Sequence, residues 1–288
     1  MNKDIIQLVG CNNYLGVGEE GLASNLKALK NQFNDLDFIE VNETIIEEET
    51  DPKLRNFQSV LKTNIDLADT CQKILTEKRI PLNILGDHAA SIGTVSASSQ
   101  STDNLGVLWV DAHSDINTPD TTPSGNIHGM TNASTLNLFE SDLSNILFNG
   151  QKVKPENLAM IGLRDVDPGE KKIIEDLNIE VYTYEDVQKL GLEFILDKLV
   201  TKFSKVSKLH LSIDMDSMDP TIVKAVSVPV ESGFKPSDVS TIIDVLTSNV
   251  DICAIDIVEY NPEYDQNNES ALILKKLIDQ IKTIYNKQ

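Results

Sequence analysis

The 288-residue chain is predicted to be an α/β protein of three layers, with helices on both faces of a mainly parallel central sheet. Two observations predict this. Apolar, β-rich runs alternate with amphipathic helical segments from end to end, the pattern of strands joined by helical crossovers. The runs are also apolar at consecutive positions, as in Gly-Val-Leu-Trp-Val at 106–110, which marks strands buried on both faces. No internal repeat, low-complexity linker or shift in composition divides the chain, so residues 1–288 read as a single domain.

The strands are expected at Ile5–Gly10, Phe38–Val41, Leu82–Leu85, Gly106–Val110, Ala159–Leu163, Val181–Tyr184, Leu209–Ile213 and Ala254–Val258. Helices are expected at Leu54–Glu77, Pro168–Leu177, Glu185–Phe203, Ser237–Leu246 and Glu269–Tyr285, where apolar residues recur with helical spacing. The stretch Thr118–Gly129, rich in Thr, Pro, Ser and Gly, reads as a loop after a strand. The acidic run Glu47–Asp51 reads as an exposed turn.

Composition narrows the function. Hydrophobic residues make up 40% and charged residues 24%, as in ordinary globular proteins. The formal net charge of -20 repels phosphate backbones and anionic membranes, so neither nucleic acid nor membrane is an expected partner. No apolar run approaches the ~20 residues of a membrane span. Met1 to Gly10 lacks the apolar core and cleavage site of a secretory signal, and reads as the first strand. Cys11, Cys71 and Cys253 are odd in number and far apart, which indicates neither a disulfide framework nor a thiolate metal site. A reducing cytoplasm is the expected location.

The chemistry is concentrated at four strand ends, where open α/β sheets bind ligands. Gly86-Asp87-His88 closes one strand, and Asp111-Ala112-His113-Ser114-Asp115 a second. Asp214-Met215-Asp216 closes a third, and Glu259-Tyr260-Asn261-Pro262 a fourth. In an extended chain alternate residues share a side, so Asp111, His113 and Asp115 approach one site if the strand geometry continues; Asp214 and Asp216 do likewise. Carboxylates gathered this closely repel unless cations neutralise them, and two divalent ions do this. A lone Asp-x-Asp after a strand is often only a turn. Its pairing with Asp-x-His-x-Asp and a third-strand histidine is what points to metal. Four Asp and two His, with no thiolate, suit Mn²⁺ or a similar borderline-hard ion.

These segments, with Asp-Ala-His-Ser-Asp-Ile-Asn-Thr-Pro at 111–119, Ser-Gly-Asn-Ile-His-Gly at 124–129 and Ser-Ile-Asp-Met-Asp-Ser-Met-Asp-Pro at 212–220, resemble the ureohydrolase family and within it the arginases. The motifs span roughly residues 86–262 in the family's order. The resemblance implies an arginase-like fold and hydrolysis of L-arginine to L-ornithine and urea by a hydroxide shared between two Mn²⁺ ions. It implies that His88, Asp111, Asp115 and Asp214 hold one ion, that Asp111, His113, Asp214 and Asp216 hold the other, and that Asp115 also holds the attacking hydroxide. By the same resemblance Glu259 pairs with the substrate guanidinium, whose forked donors suit a carboxylate. His128 is the matching proton shuttle; outside its motif it would read as a surface histidine. His210, inside a strand, reads as structural. The resemblance further implies a homo-oligomer, a trimer or hexamer.

For the amino-acid end of the substrate, Asn117, Thr122, Ser124 and Asn126 match the positions that meet the α-carboxylate in arginases, and Asp167, supported by Glu170, matches the acceptor for the α-amino group. Asp167 also precedes Pro168 and is a natural helix N-cap. Three segments depart from the family pattern: Leu85-Gly86-Asp87-His88-Ala89, the loop Val226–Gly233 with Val228 in place of a threonine and an added Glu231, and the degenerate Gly10–Gly16 signature. The alternatives are another ureohydrolase, an agmatinase or formiminoglutamase, and an inactive metal-binding homologue with a regulatory role.

Overall fold

The structure is a computed structural model that describes residues 5–47 and 51–286. Its strands are β1 (Ile6–Cys11), β2 (Ile39–Val41), β3 (Ile80–Ile84), β4 (Leu105–Val110), β5 (Leu158–Leu163), β6 (Glu180–Thr183), β7 (Lys208–Asp214) and β8 (Ile252–Val258). They form one sheet in the order β2-β1-β3-β8-β7-β4-β5-β6, and every pairing is parallel. The helices are α1 (Asn25–Gln32), α2 (Phe57–Thr76), α3 (Ser91–Gln100), α4 (Thr131–Thr135), α5 (Pro168–Asp176), α6 (Tyr184–Leu190), α7 (Leu192–Phe203), α8 (Pro236–Asn249) and α9 (Glu269–Asn286).

Strand alternation distributes the core to two faces. Leu108 and Val110 of β4 pack in a cluster with α1 and α6 to α9. Val107 and Trp109 of the same strand turn the other way, toward Val95 of α3 and Ala133 of α4. The result is the expected three-layer arrangement, with β3, β4, β5, β7 and β8 buried almost throughout.

All eight expected strands are present, with ends moved by one or two residues. One expected helix is two. Glu185–Phe203 breaks at Gly191, whose φ of 87° leaves the helical region and serves as the C-cap of α6 and the N-cap of α7. Of the acidic run Glu47–Asp51, residues 48–50 lie outside the described residues; Glu47 and Asp51 are exposed, and Asp51 bridges to Leu54. Among the described residues no helix is long and apolar enough to cross a membrane.

The α3 helix, Ser-Ile-Gly-Thr-Val-Ser-Ala-Ser-Ser-Gln, carries no apolar stripe because a buried polar network holds it to the sheet. Asp256 of β8 accepts hydrogen bonds from Ser91 Oγ at 2.7 Å and Thr94 Oγ1 at 2.6 Å, both on α3. It also accepts from Asn83 Nδ2 at 2.6 Å and lies 3.0 Å from His210 Nε2. His210 Nδ1 lies 2.8 Å from Ser98 Oγ. His210 thus sits within the sheet–helix packing, away from the strand ends.

Burial alone would raise the Asp256 carboxyl, but His210, Thr94 and Asn83 outweigh it and hold the carboxyl below its usual range. A depressed carboxylate contributes stability at neutral pH that is lost as pH falls through its folded value. Asp256→Ala leaves Ser91, Thr94, Asn83 and His210 without their shared buried acceptor and is expected to cost at least about 1–3 kcal/mol of stability. Urea unfolding at pH 7 checks this; an unchanged midpoint would refute it.

Candidate metal centre

The four polar clusters that the sequence places at strand ends follow β3, β8, β7 and β4, which are four neighbouring strands at the centre of the sheet. Their side chains therefore meet over one edge. After β3, Asp87 caps a single turn, His88–Ala90, by accepting from Ala89 N. Its other oxygen accepts from Gly16 N at 2.7 Å and Val17 N at 3.2 Å, which ties the N-terminal loop to the site.

His88 is fixed through its ring and its main chain. It stacks on Trp109 at 3.8 Å between centroids, its Nε2 lies 2.8 Å from Ser212 Oγ, and its main-chain N donates to Glu259 Oε1 at 3.0 Å. This leaves Nδ1 facing the carboxylates, 3.1 Å from Asp111 Oδ2, 3.2 Å from Asp115 Oδ2 and 3.1 Å from Asp214 Oδ2. His113 Nδ1 lies 3.0 Å from Asp216 Oδ2 and 3.6 Å from Asp111 Oδ1.

The convergence of Asp111, His113 and Asp115 is as expected, but the route differs. The strand ends at Val110, the chain bends at 111–113, and Asp115 adopts a φ of +47°. The Asp214–Asp216 pair is set instead by a turn: Asp214 Oδ1 accepts from Asp216 N at 2.7 Å.

The donor arrangement fits a pair of cations. His88, Asp111 and Asp214 form one group of potential ligands, and Asp111, His113 and Asp216 a second, with the ligand atoms of each within 4.8 Å of one another. Asp111 belongs to both. His88 Nδ1 and Asp111 Oδ2 are buried and, although 3.1 Å apart, are not aligned to hydrogen-bond to each other or to any other group, whereas buried polar atoms are nearly always satisfied. Burial, with Asp216 and Asp111 nearby, pushes the Asp214 carboxyl well above its usual range. Burial pushes Asp216 up to about 6. A cation between these groups relieves both the missing partners and the repulsion.

A cavity of about 360 Å³ opens above His113 and Asp115, with His128 on its wall. Its lining includes all six residues expected at the amino-acid end of the substrate: Asn117, Thr122, Ser124, Asn126, Asp167 and Glu170. Several are already tied together. Asn117 Nδ2 donates to Asp167 Oδ2 at 2.9 Å, and Asn126 Nδ2 donates to Val17 O at 3.1 Å. Glu170 accepts from Asp167 N at 2.9 Å and Ile116 N at 3.0 Å. Asp167 is also the N-cap of α5, with Pro168 at the first helical position.

Glu259 stands deeper. It does not line this cavity, is 4% exposed, and adopts φ +65°. Its Oε1 is 3.7 Å from His128 Nδ1, and its Oε2 is buried without a partner. Val228 lies at the lip, together with Val17 and Glu19.

Sequence reasoning missed Trp109 and Ser212, which orient His88. The one available signal was alternation, which puts Ser212 on the same face of β7 as Asp214. It also missed Arg164, within a segment it singled out, because nothing in the sequence says where that side chain goes.

The arginase family model matches residues 18–282. An arginase of Bacillus subtilis (strain 168) is 36% identical over 247 residues, covering 86% of this chain and 83% of the relative. The arginase structure from Bacillus caldovelox superposes with a TM-score of 0.89 at 30% identity, covering 96% of this chain and 97% of that one. The Entamoeba histolytica arginase in complex with L-ornithine gives a TM-score of 0.87 at 28% identity, covering 96% and 97%. The chain belongs to the arginase family.

Proposed function

We propose that this protein hydrolyses the guanidinium group of L-arginine to L-ornithine and urea with two Mn²⁺ ions. The carrying observation is the cavity that joins the buried His–Asp cluster to a wall of hydroxyl, amide and carboxylate groups. In this reading His88, Asp111, Asp115 and Asp214 hold one ion, and Asp111, His113, Asp214 and Asp216 the other. Such a pair supplies water of lowered pKa at neutral pH and stabilises developing negative charge.

The remaining work falls to the chain. Glu259 directs its unpartnered oxygen to the guanidinium N–H fork. Asp115 orients the attacking water from the cavity floor. Asn117, Thr122, Ser124 and Asn126 meet the α-carboxylate, directly or through water. Asp167, fixed by Asn117 and Glu170, accepts from the α-ammonium. The departing ornithine amine gains a proton as the C–N bond breaks. His128 is 21% exposed, so it contacts solvent on one side and Glu259 on the other. That placement supports exchange of protons between the site and bulk water.

Urea release from L-arginine by the Mn²⁺-loaded protein, set beside agmatine and formiminoglutamate, tests the reading. Turnover of none of the three by fully metallated protein would favour a regulatory homologue. His128→Asn is expected to keep both ions while slowing turnover by ~10²-fold, the usual scale for a general acid or base. A pH–rate profile close to that of the parent would remove His128 from the mechanism.

A trimer or hexamer in the cytoplasm completes the proposal. The three cysteines are buried and unpaired, which supports a reducing compartment. Light scattering on the purified protein reads its mass.

A further inference from the structure

Arg164 lies just beyond a bulge in β5. The register with β6 shifts between Ile161 and Leu163, and the intervening Gly162 adopts φ +99°, a conformation open to glycine. Main-chain bonds from Arg164 N and Asp165 N to Ala112 O, at 2.9 and 3.1 Å, lock this segment to the Asp111–Asp115 cluster. The guanidinium then crosses to two other parts of the site.

Its six hydrogen bonds all go to main-chain carbonyls, and its Cζ lies 6.0 Å from the centre of the Tyr184 ring. One goes to Gly162 O at 3.2 Å. Three go to the turn that carries the β7 ligands: Asp216 O at 2.7 Å, Ser217 O at 3.2 Å and Met218 O at 3.4 Å. Two go to the segment that follows the cavity-lining Val228: Val230 O at 3.3 Å and Glu231 O at 3.2 Å. Among the described residues no carboxylate forms an ion pair with it. A planar fork with five N–H donors in fixed directions can satisfy carbonyls from three segments at once, which a lysine ammonium cannot.

Main-chain bonds from Phe234 N to Ser217 O at 3.0 Å and from Asp219 N to Phe234 O at 2.9 Å already join the two segments at Phe234. We propose that Arg164 is a positioning residue that extends this join to Asp216 and to the lip at Val228, so that retention of one ion and the shape of the substrate cavity are coupled through its side chain. The proposal rests on the metal-site reading above but not on arginine being the substrate. Asp216 belongs to only one of the two ligand groups. Loss of the fork therefore loosens the ion shared by Asp111, His113 and Asp216 more than the ion at His88.

Calorimetric titration of Mn²⁺ into metal-free Arg164→Lys protein tests this. The expected result is one ion bound as in the parent and the other about 10–100-fold more weakly, the scale for loss of an outer-shell partner. At saturating Mn²⁺ the KM for arginine is expected to rise more than kcat falls, because the lip remains loose. A merely structural arginine would lower the melting temperature without splitting the two affinities. Parent-like binding of both ions by folded Arg164→Lys or Arg164→Gln would overturn the proposal.

Hydrogen exchange on the parent protein supplies an arm that needs no variant. Protection gained at 216–218 on Mn²⁺ addition should extend to 230–232, ahead of Phe234, which the main chain joins to Ser217 without Arg164; protection that stops short of 230–232 would also overturn it. Failure of the parent to hydrolyse arginine would sink the functional reading and leave these binding results standing.

Discussion

Asp214→Ala is expected to lose both ions and nearly all activity, a larger defect than the roughly 10–100-fold cost of removing an outer-shell partner. Three observations set this expectation. Asp214 Oδ2 faces His88 Nδ1 at 3.1 Å, on the side of one ligand group. Asp214 Oδ1 accepts from Asp216 N and so holds the turn that carries a ligand of the other group. The residue is also almost fully buried, at 2% exposure, so water cannot readily take over its role.

Asp214→Asn separates the two functions. It keeps an oxygen to cap the turn but gives up the charge. Asp216→Asn, by contrast, should weaken one ion and leave the other near parental occupancy. Metal analysis of the three purified variants, with urea release measured in parallel, decides the matter. Stoichiometric metal and parental turnover in Asp214→Ala would remove the proposed centre.

The strands were legible because a parallel sheet covered on both faces demands consecutive apolar residues, and β4, β5, β7 and β8 supply them. The site was legible for a related reason. Buried carboxylates at strand ends, as at Asp111–Asp115 and Asp214–Asp216, are too unfavourable to persist without a purpose. What the sequence could not convey was spatial order. Nothing in the chain order of the clusters says that β8, the last strand in sequence, lies between β3 and β7 and brings Glu259 up against His88.

Local rules also failed where tertiary contacts overrode them. Helix α3 has no apolar stripe because its Ser and Thr side chains serve the Asp256 network. Asp115 reaches the cluster through a positive φ rather than a continued strand. Arg164 reads as an ordinary charged loop residue until its carbonyl partners are seen.

L-arginine is expected to be preferred over agmatine by at least ~10²-fold in kcat/KM. The two substrates share the guanidinium and differ at the amino-acid end. On the proposed reading that end meets a wall in which Asn117 is fixed to Asp167, Asp167 N donates to Glu170, and Ser124 accepts from Asn126 N. Agmatine brings no α-carboxylate and no α-amino group to this wall, so polar groups arranged for them go unmatched.

Val228 tests a separate component. It lines the cavity and is 37% exposed, at the position where the resemblance read from the sequence implies a threonine. If Val228 meets only the passage that both substrates share, an apolar side chain there should reduce overall rate and leave discrimination alone. Val228→Thr is accordingly expected to raise arginine turnover with little change in the arginine-to-agmatine ratio. Steady-state kinetics on both substrates, for parent and variant at saturating Mn²⁺, reads both quantities. Comparable agmatine and arginine hydrolysis by the parent would show that the Asn117–Asp167 wall does not select the substrate. A ratio that moves with Val228 would instead place the lip among the groups that read the amino-acid end.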